Sequence, residues 1–263
     1  MSLRTPSRSR FRPQSPVDQS ILHEHRKFIT RIDRRGLLRG SLSLGALMML
    51  GGCNVSEAEP VQKVLRRISE FNDEVQALLF NPNKLAPTYT EAEVVKPPRF
   101  NAHYEVENVR PVDGATWKLE LAGLIADKRP WTIEQIRALP EQEVIIRHIC
   151  VEGWDYIGQW SGVNLREFLT RIGADLTAKY VGFRCADDYF ESIDMPTALH
   201  PQTILATRYA HEPIADPFGY PLRLRTSTKL GFKNPKWITA MEVANVKPPS
   251  YYEREGFNWF SGL

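Results

Sequence analysis

Apolar residues recur at three- and four-residue steps through 61–80: Val61, Val64, Leu65, Ile68, Phe71, Val75, Leu78 and Leu79. That spacing puts them on one face of a helix. Asn81-Pro82-Asn83 stops it. Residues 81–100 are proline-rich and aperiodic, and they read as an extended arm on the domain surface. From Trp117 the pattern changes. Trp117, Leu119, Leu121 and Ile125, with Gly123 among them, predict a strand and a turn. Thr132 and Gln135 have capping-box spacing ahead of Ile136 and Leu139, which predicts a short helix. Residues 144–149 read as a buried strand. Leu165, Phe168, Leu169 and Ile172 form a second short helix ended by Gly173. Further strands are expected at 180–183, 222–225 and 237–243. Tyr251, Tyr252, Phe257, Trp259 and Phe260 make 251–263 too aromatic for a free tail, so it is expected to pack back on the body. Short strands, short helices and many Pro/Gly loops predict a single α+β domain without internal repeats.

Composition separates the amino-terminal stretch from the rest. Hydrophobic residues make up 42% and charged residues 25%, which excludes a multi-span membrane protein and a wholly disordered chain. Residues 1–40 hold ten Arg/Lys and three acids, whereas the remaining 223 residues hold 24 bases and 28 acids. The excess of positive charge therefore belongs to the leader, and no nucleic-acid partner is indicated for the body. Residues 1–30 are rich in Arg, Ser and Pro, as disordered segments are. Arg34-Arg35-Gly36-Leu37-Leu38 then precedes a short apolar run at 41–50, about half the ~20 residues a membrane-spanning helix needs. This pattern resembles a twin-arginine signal peptide over 1–53, the plainer alternative being an N-terminal basic amphipathic helix. Leu50-Gly51-Gly52-Cys53 resembles a bacterial lipobox. Cys53 is either acylated as the first mature residue or lost or left free by a simple cleavage. A single lipid chain gives only marginal attachment. Twin-arginine export carries folded proteins, so the leader predicts a prosthetic group and a periplasmic destination. The mature chain then has a helix and arm over 54–100 and its domain over 101–263.

Familiar motifs are missing. There is no G-x-G-x-x-G or phosphate loop, no C-x-x-C-H, no H-E-x-x-H and no G-x-S-x-G. The six histidines have no metal-ligand spacing. Apart from Cys53 there are two cysteines, Cys150 and Cys185. They could pair in an oxidising compartment. A thiolate is also a soft ligand suited to a redox metal.

Arg147-His148-Ile149-Cys150-Val151-Glu152-Gly153-Trp154 is followed by Gln159-Trp160-Ser161-Gly162-Val163-Asn164-Leu165. This C-V-E-G-W…W-x-G-V-x-L block closely resembles the molybdopterin-binding oxidoreductases of the sulfite oxidase superfamily, and within them the catalytic subunits of periplasmic methionine-sulfoxide reductases. The likeness runs from about Asn101 to the carboxyl end, through Pro221-Leu222-Arg223-Leu224 and 231–237. The resemblance implies a mixed-sheet, sulfite-oxidase-type molybdopterin-binding fold. It implies that Cys150 ligates molybdenum beside the dithiolene of one pyranopterin. It also carries cofactor contacts onto Asn101, Tyr104 and Glu105 (the N-x-x-Y-E motif), onto Arg223, and onto Asn234, Pro235 and Lys236 in the late loop that holds the phosphate. A guanidinium and an ammonium suit that phosphate, although Lys and Arg more often carry solvated surface charge.

Two positions depart from the family. Cys185 stands where the sulfoxide-reductase relatives place a threonine that touches the pterin, and Phe218 stands where they place Asn or His. Arg147 and Arg184 lie near the segments that form an anion pocket in sulfite oxidases. Glu152, Trp154 and Tyr189 are candidates to line the substrate funnel, with Glu152 either relaying protons or holding a loop. Substrate is open among sulfite, sulfoxides and other small oxo-acceptors. The chain encodes no cytochrome domain and no immunoglobulin-like dimerisation domain. Electrons are therefore expected to pass through a separate membrane haem subunit or soluble cytochrome. Two other readings compete: a redox-inactive pterin-binding scaffold of the same fold, and a disulfide-linked binding lipoprotein marked by a Cys150–Cys185 bridge.

Overall fold

The computed structural model describes residues 59–263. The twin-arginine segment, the apolar run at 41–50 and Cys53 lie outside the described residues. The first described element is helix α1 (Glu59–Leu79). Ten strands follow, interleaved with short helices: β1 (Lys118–Gly123), β2 (Trp131–Thr132), α2 (Ile133–Arg137), β3 (Gln142–Ile149), β4 (Asp155–Asn164), α3 (Leu165–Arg171), β5 (Tyr180–Cys185), β6 (Phe190–Asp194), α4 (Met195–Ala198), β7 (Ile204–Tyr209), β8 (Glu212–Pro213), β9 (Arg223–Arg225), β10 (Ile238–Ala244) and α5 (Tyr251–Arg254). They form two five-stranded sheets. One runs β2-β1-β10-β5-β6; the other runs β3-β4-β7-β8, with β9 also paired to β7. Only β1 and β10 pair in parallel among these strands, so the first sheet is mixed. The fold is α+β.

Local chemistry explains the short helices. Thr132 caps α2: its hydroxyl accepts the Gln135 N–H at 3.3 Å while the Gln135 side chain accepts the Thr132 N–H at 2.9 Å. The Asn164 side chain caps α3 by accepting the Arg166 N–H at 2.9 Å. α2 and α3 bury Ile133, Ile136, Phe168 and Leu169 in the main core, against Leu119 and Val181 of the first sheet. A smaller core at the second sheet gathers Val144, Ile146, Trp160 and Ile204. β4 is buried along nearly all its length, and a Cβ at Gly162 would lie 2.0 Å from the Leu205 carbonyl oxygen. Glycine is what allows β4 and β7 to approach there.

Two peripheral segments are tied down by backbone groups. In the arm, Tyr89 N–H donates to Ile145 O (3.1 Å) and Val95 N–H to Ile157 O (3.0 Å). The Gln202 amide brackets Ala86 with hydrogen bonds of 2.8 and 3.0 Å. At the carboxyl end, Trp259 and Phe260 are buried, and the Asp73 carboxylate of α1 accepts their N–H groups at 3.1 and 2.8 Å. α1 is amphipathic as its spacing predicts, but its polar side faces the body and its apolar side faces solvent. No helix among the described residues is long and apolar enough to cross a membrane.

Candidate active site

Cys150 follows directly on β3. Side chains alternate across a strand, so Val144, Ile146 and His148 face inward, and Cys150 is buried with them. A tight turn comes next: the Gly153 N–H donates to Cys150 O (3.2 Å) and the Cys150 N–H to Trp154 O (2.9 Å). Gly153 has φ 87°, which suits glycine. The turn brings Glu152 back over the thiol. Its Oε2 lies 3.7 Å from Cys150 Sγ and accepts the Trp154 indole N–H at 2.6 Å. Burial pushes the Cys150 thiol pKa up, as does the neighbouring Glu152 charge.

The thiol lines an open cleft. Of the residues expected at the site, Asn101, Cys150, Glu152, Tyr189, Asn234, Pro235 and Lys236 line this cleft. Tyr104 lies in an adjoining hollow, donating to the Asp187 carboxylate at 3.1 Å and stacked on Trp237. Tyr189 donates its hydroxyl to Phe232 O at 2.8 Å, with Glu191 at 3.2 Å, and burial drives its pKa upward. Glu105 is exposed at the start of a short 3-10 turn and does not reach the cleft. Cys185 is buried at the end of β5 outside the cleft lining, its thiol pushed up by burial. Phe218 contributes its carbonyl, which accepts from Arg223 at 2.7 Å, rather than its ring.

Behind the cleft wall is a buried cationic group. Arg223 and Arg225 alternate on β9 and are both fully buried, with their guanidinium carbons 4.4 and 5.2 Å from the Trp160 ring centroid. Arg225 donates one N–H to His148 Nδ1 at 2.8 Å. His148 is buried, and its pKa is pushed well down by burial and by Arg225, Arg223 and Lys236. Its ring is therefore neutral, with Nδ1 accepting and Nε2 carrying the hydrogen. Lys236 Nζ donates to Asn101 O, and burial and Arg223 push its pKa well down. Five donor nitrogens in this group find no partner: Nε and Nη2 of each arginine and Nε2 of His148. Among the described residues no carboxylate lies in salt-bridge range of Arg223, Arg225 or Lys236. Buried cations with unmet donors are costly unless an anion completes them. This donor set fits the phosphate-bearing tail of a pterin.

A family model described as the oxidoreductase molybdopterin binding domain matches residues 103–252. The chain belongs to this family. It is a molybdopterin-binding oxidoreductase. It is 50% identical over 236 residues to the "Putative protein-methionine-sulfoxide reductase subunit YedZ1" of Azospira oryzae, covering 90% of each chain. It is 30% identical over 154 residues to the protein-methionine-sulfoxide reductase catalytic subunit MsrP of Campylobacter jejuni, covering 52% of each. The match thus spans about half the length of that MsrP. Among solved structures, the sulfane dehydrogenase SoxCD of Paracoccus pantotrophus matches with a TM-score of 0.49 at 18% identity, over 52% of this chain and 40% of that one.

Several features of this oxidoreductase differ from expectation. Cys150 and Cys185 are both unbridged, which removes the disulfide reading. Arg147 points away from the cleft, half-exposed, 3.9 Å from Asp155. Arg184 is exposed on β5. His148, Arg225, Asp187, Phe232, Trp237 and Tyr252 were not anticipated at or behind the cleft. The period-2 rule identifies two of them, since His148 stands two residues before Cys150 and Arg225 two after Arg223.

Proposed function

We propose that the chain is the catalytic subunit of an exported molybdenum enzyme that reduces sulfoxides, methionine sulfoxide foremost. The observation that carries this is an unbridged cysteine at the mouth of a cleft backed by buried cations with unmet donors. The 50% identity to a methionine-sulfoxide reductase subunit over 90% of the chain supports the direction of the reaction. When bound, the molybdenum–pterin group supplies two-electron oxygen-atom exchange with the substrate.

The remaining roles fall to the chain's own residues. Cys150 Sγ supplies the metal's thiolate. Arg223, Arg225 and Lys236, with the His148 Nε2–H, neutralise and hydrogen-bond the phosphate tail; charge-assisted bonds of this kind are the strong ones. Asn101 contributes amide groups, the Asn234 side chain holds the loop by accepting the Thr226 N–H and donating to Leu230 O, Pro235 shapes that loop, and Tyr104 positions the Asp187 edge. Glu105, Cys185 and Phe218 support from outside the lining. Reduction of a sulfoxide takes two electrons and two protons and yields a sulfide and water. Glu152, over the thiol at the cleft mouth, is the group placed to pass those protons, with Trp154 holding its carboxylate. Tyr189 holds Phe232 and so fixes the opposite wall. Electrons come from a separate haem protein, either a membrane subunit or a soluble cytochrome. The leader over 1–53 directs export to the periplasm through the twin-arginine route, with Cys53 as a possible site of lipid attachment.

The test is protein produced with its leader. It should hold about one molybdenum and one pterin per chain and reduce methionine sulfoxide with a reduced dye. Cys150→Ser should abolish turnover while leaving the unfolding temperature close to the parent's. Undiminished turnover in that variant would reject the ligand assignment. Sulfite oxidation without sulfoxide reduction would reject the direction. Bound pterin without any turnover would favour the redox-inactive scaffold.

A further inference from the structure

Reduction of a sulfoxide consumes two protons, and the reading above names one carrier for them, Glu152. The inference here rests on that reading. Besides Glu152, the cleft lining contains six side chains able to hold or lose a proton: His103, Cys150, Asp187, Tyr189, Lys236 and Tyr252. Five of them are committed. Cys150 is assigned to the metal as its thiolate. The Asp187 carboxylate accepts the Tyr104 hydroxyl at 3.1 Å and the Tyr189 N–H at 3.3 Å. Lys236 Nζ donates to Asn101 O and is assigned to the phosphate tail. Tyr189 gives its hydroxyl to Phe232 O. Burial first, then neighbouring negative charge, raises the pKa of Tyr189 and of Tyr252, so both keep their protons.

His103 is left. Rings from three parts of the chain fix its imidazole. Tyr104, next to it in sequence, meets it edge-on at a centroid distance of 4.8 Å. Tyr189, between β5 and β6, stacks on it at 6.0 Å, and Tyr251 of α5 lies 4.9 Å away. Among the described residues neither ring nitrogen has a hydrogen-bond partner. The residue is exposed, so water reaches it. Imidazole is the side chain whose ordinary pKa, about 6.5, lets it give up and regain a proton near neutral pH. We propose that His103 is a second proton donor in sulfoxide reduction, hydrogen-bonded to the departing oxygen. The S–O bond breaks, and the two electrons delivered by the haem protein or dye end as a lone pair on sulfur. The oxygen leaves as water with one proton from Glu152 and one from His103. Solvent then reloads both groups.

The experiment is steady-state reduction of methionine sulfoxide by the holoenzyme with a reduced dye, from about pH 5.5 to about pH 9. The parent's kcat should fall as pH rises through the range in which imidazole loses its proton. His103→Gln should lower kcat at the acid end by about tenfold or more, leave KM within about twofold, and flatten that fall. His103→Ala should regain turnover when free imidazole is added, because the position is open to solvent. A variant kcat within about twofold of the parent's, or an unchanged pH profile, overturns the proposal. A second readout needs no turnover. In protein labelled with carbon-13 at histidine Cε1, the resonance absent from His103→Gln should shift when methionine sulfoxide is added and stay in place when methionine is added. A resonance that ignores the sulfoxide overturns the proposal. A parent that shows the shift yet reduces no sulfoxide overturns the function proposed above and leaves the His103 contact to the sulfoxide oxygen standing.

Discussion

The loop that forms one wall of the cleft is held by a buried ion pair, and breaking that pair has a calculable effect. Lys233 Nζ lies 2.7 Å from Glu191 Oε1 and 3.1 Å from Ser192 O, with both side chains essentially inaccessible. Burial pushes the Lys233 pKa down, and Glu191 is the main group opposing that shift. Lys233→Met leaves the Glu191 carboxylate buried without its counter-charge, a change that costs about 3–5 kcal/mol in such sites. Glu191 keeps the Ser192 N–H at 2.8 Å and the Tyr189 hydroxyl at 3.2 Å, so the lower end, about 3 kcal/mol, is expected. At roughly 2–4 °C per kcal/mol for a chain of this size, the unfolding temperature should fall by about 6–12 °C. Thermal unfolding of the holoenzyme by circular dichroism measures it. The double variant Lys233→Met/Glu191→Gln removes the stranded charge and should regain most of the loss. A single variant within about 2 °C of the parent, or a double variant no better than the single, would refute the reasoning.

Three further outcomes follow from buried groups. Lys229 forms a buried ion pair 3.0 Å from Asp194, and burial lowers its pKa to about 8 from 10.5. Between those values the unfolded chain holds more protons, so stability rises with pH in that window. Relative to Lys229→Met, the protein should gain about 3 kcal/mol between pH 8 and 10.5, as read by urea unfolding, and a pH-independent difference would contradict the cause. Arg223→Met removes two unmet buried donors, so the cofactor-free chain should be as stable as the parent or about 1–3 kcal/mol more stable, while pterin recovered per chain falls at least tenfold; undiminished pterin would exclude Arg223 from the phosphate site. Gly231→Ala places a Cβ 2.6 Å from His148 Nε2 and 3.3 Å from Ile149 O, and should cost about 1–3 kcal/mol in the same urea measurement; a neutral effect would show that the loop yields freely there.

Local chemistry was the part of the fold most legible in the sequence. The Thr132–Gln135 box, the Gly173 stop and the strands after Trp117 depend on near neighbours, and near neighbours are what a sequence displays. β4 and β7 were not anticipated, because strands buried on both faces lose the alternation that reveals a strand. Periodicity likewise grouped the apolar side chains of α1 but could not orient them. That was decided by Asp73 and the backbone of Trp259 and Phe260, far away in the chain. At the site, the C-V-E-G-W block led to Cys150 and Glu152. The cationic wall was half-read, since Arg223 was expected and Arg225 and His148 were not, although each lies two residues from a recognised position on the same strand. Buried arginines run against the ordinary tendency of the residue, and an anionic ligand is what makes their position intelligible.

The bonds between Asp73 and residues 259–260 join positions 186 and 187 apart. A ribosome reads the helix long before its holdfast. α1 therefore cannot take its seat until residues 259–260 have left the exit tunnel, long after the helix itself has emerged. Loss of residues 258–262 would leave the hydrophobic stretch of α1 with nothing to aim it.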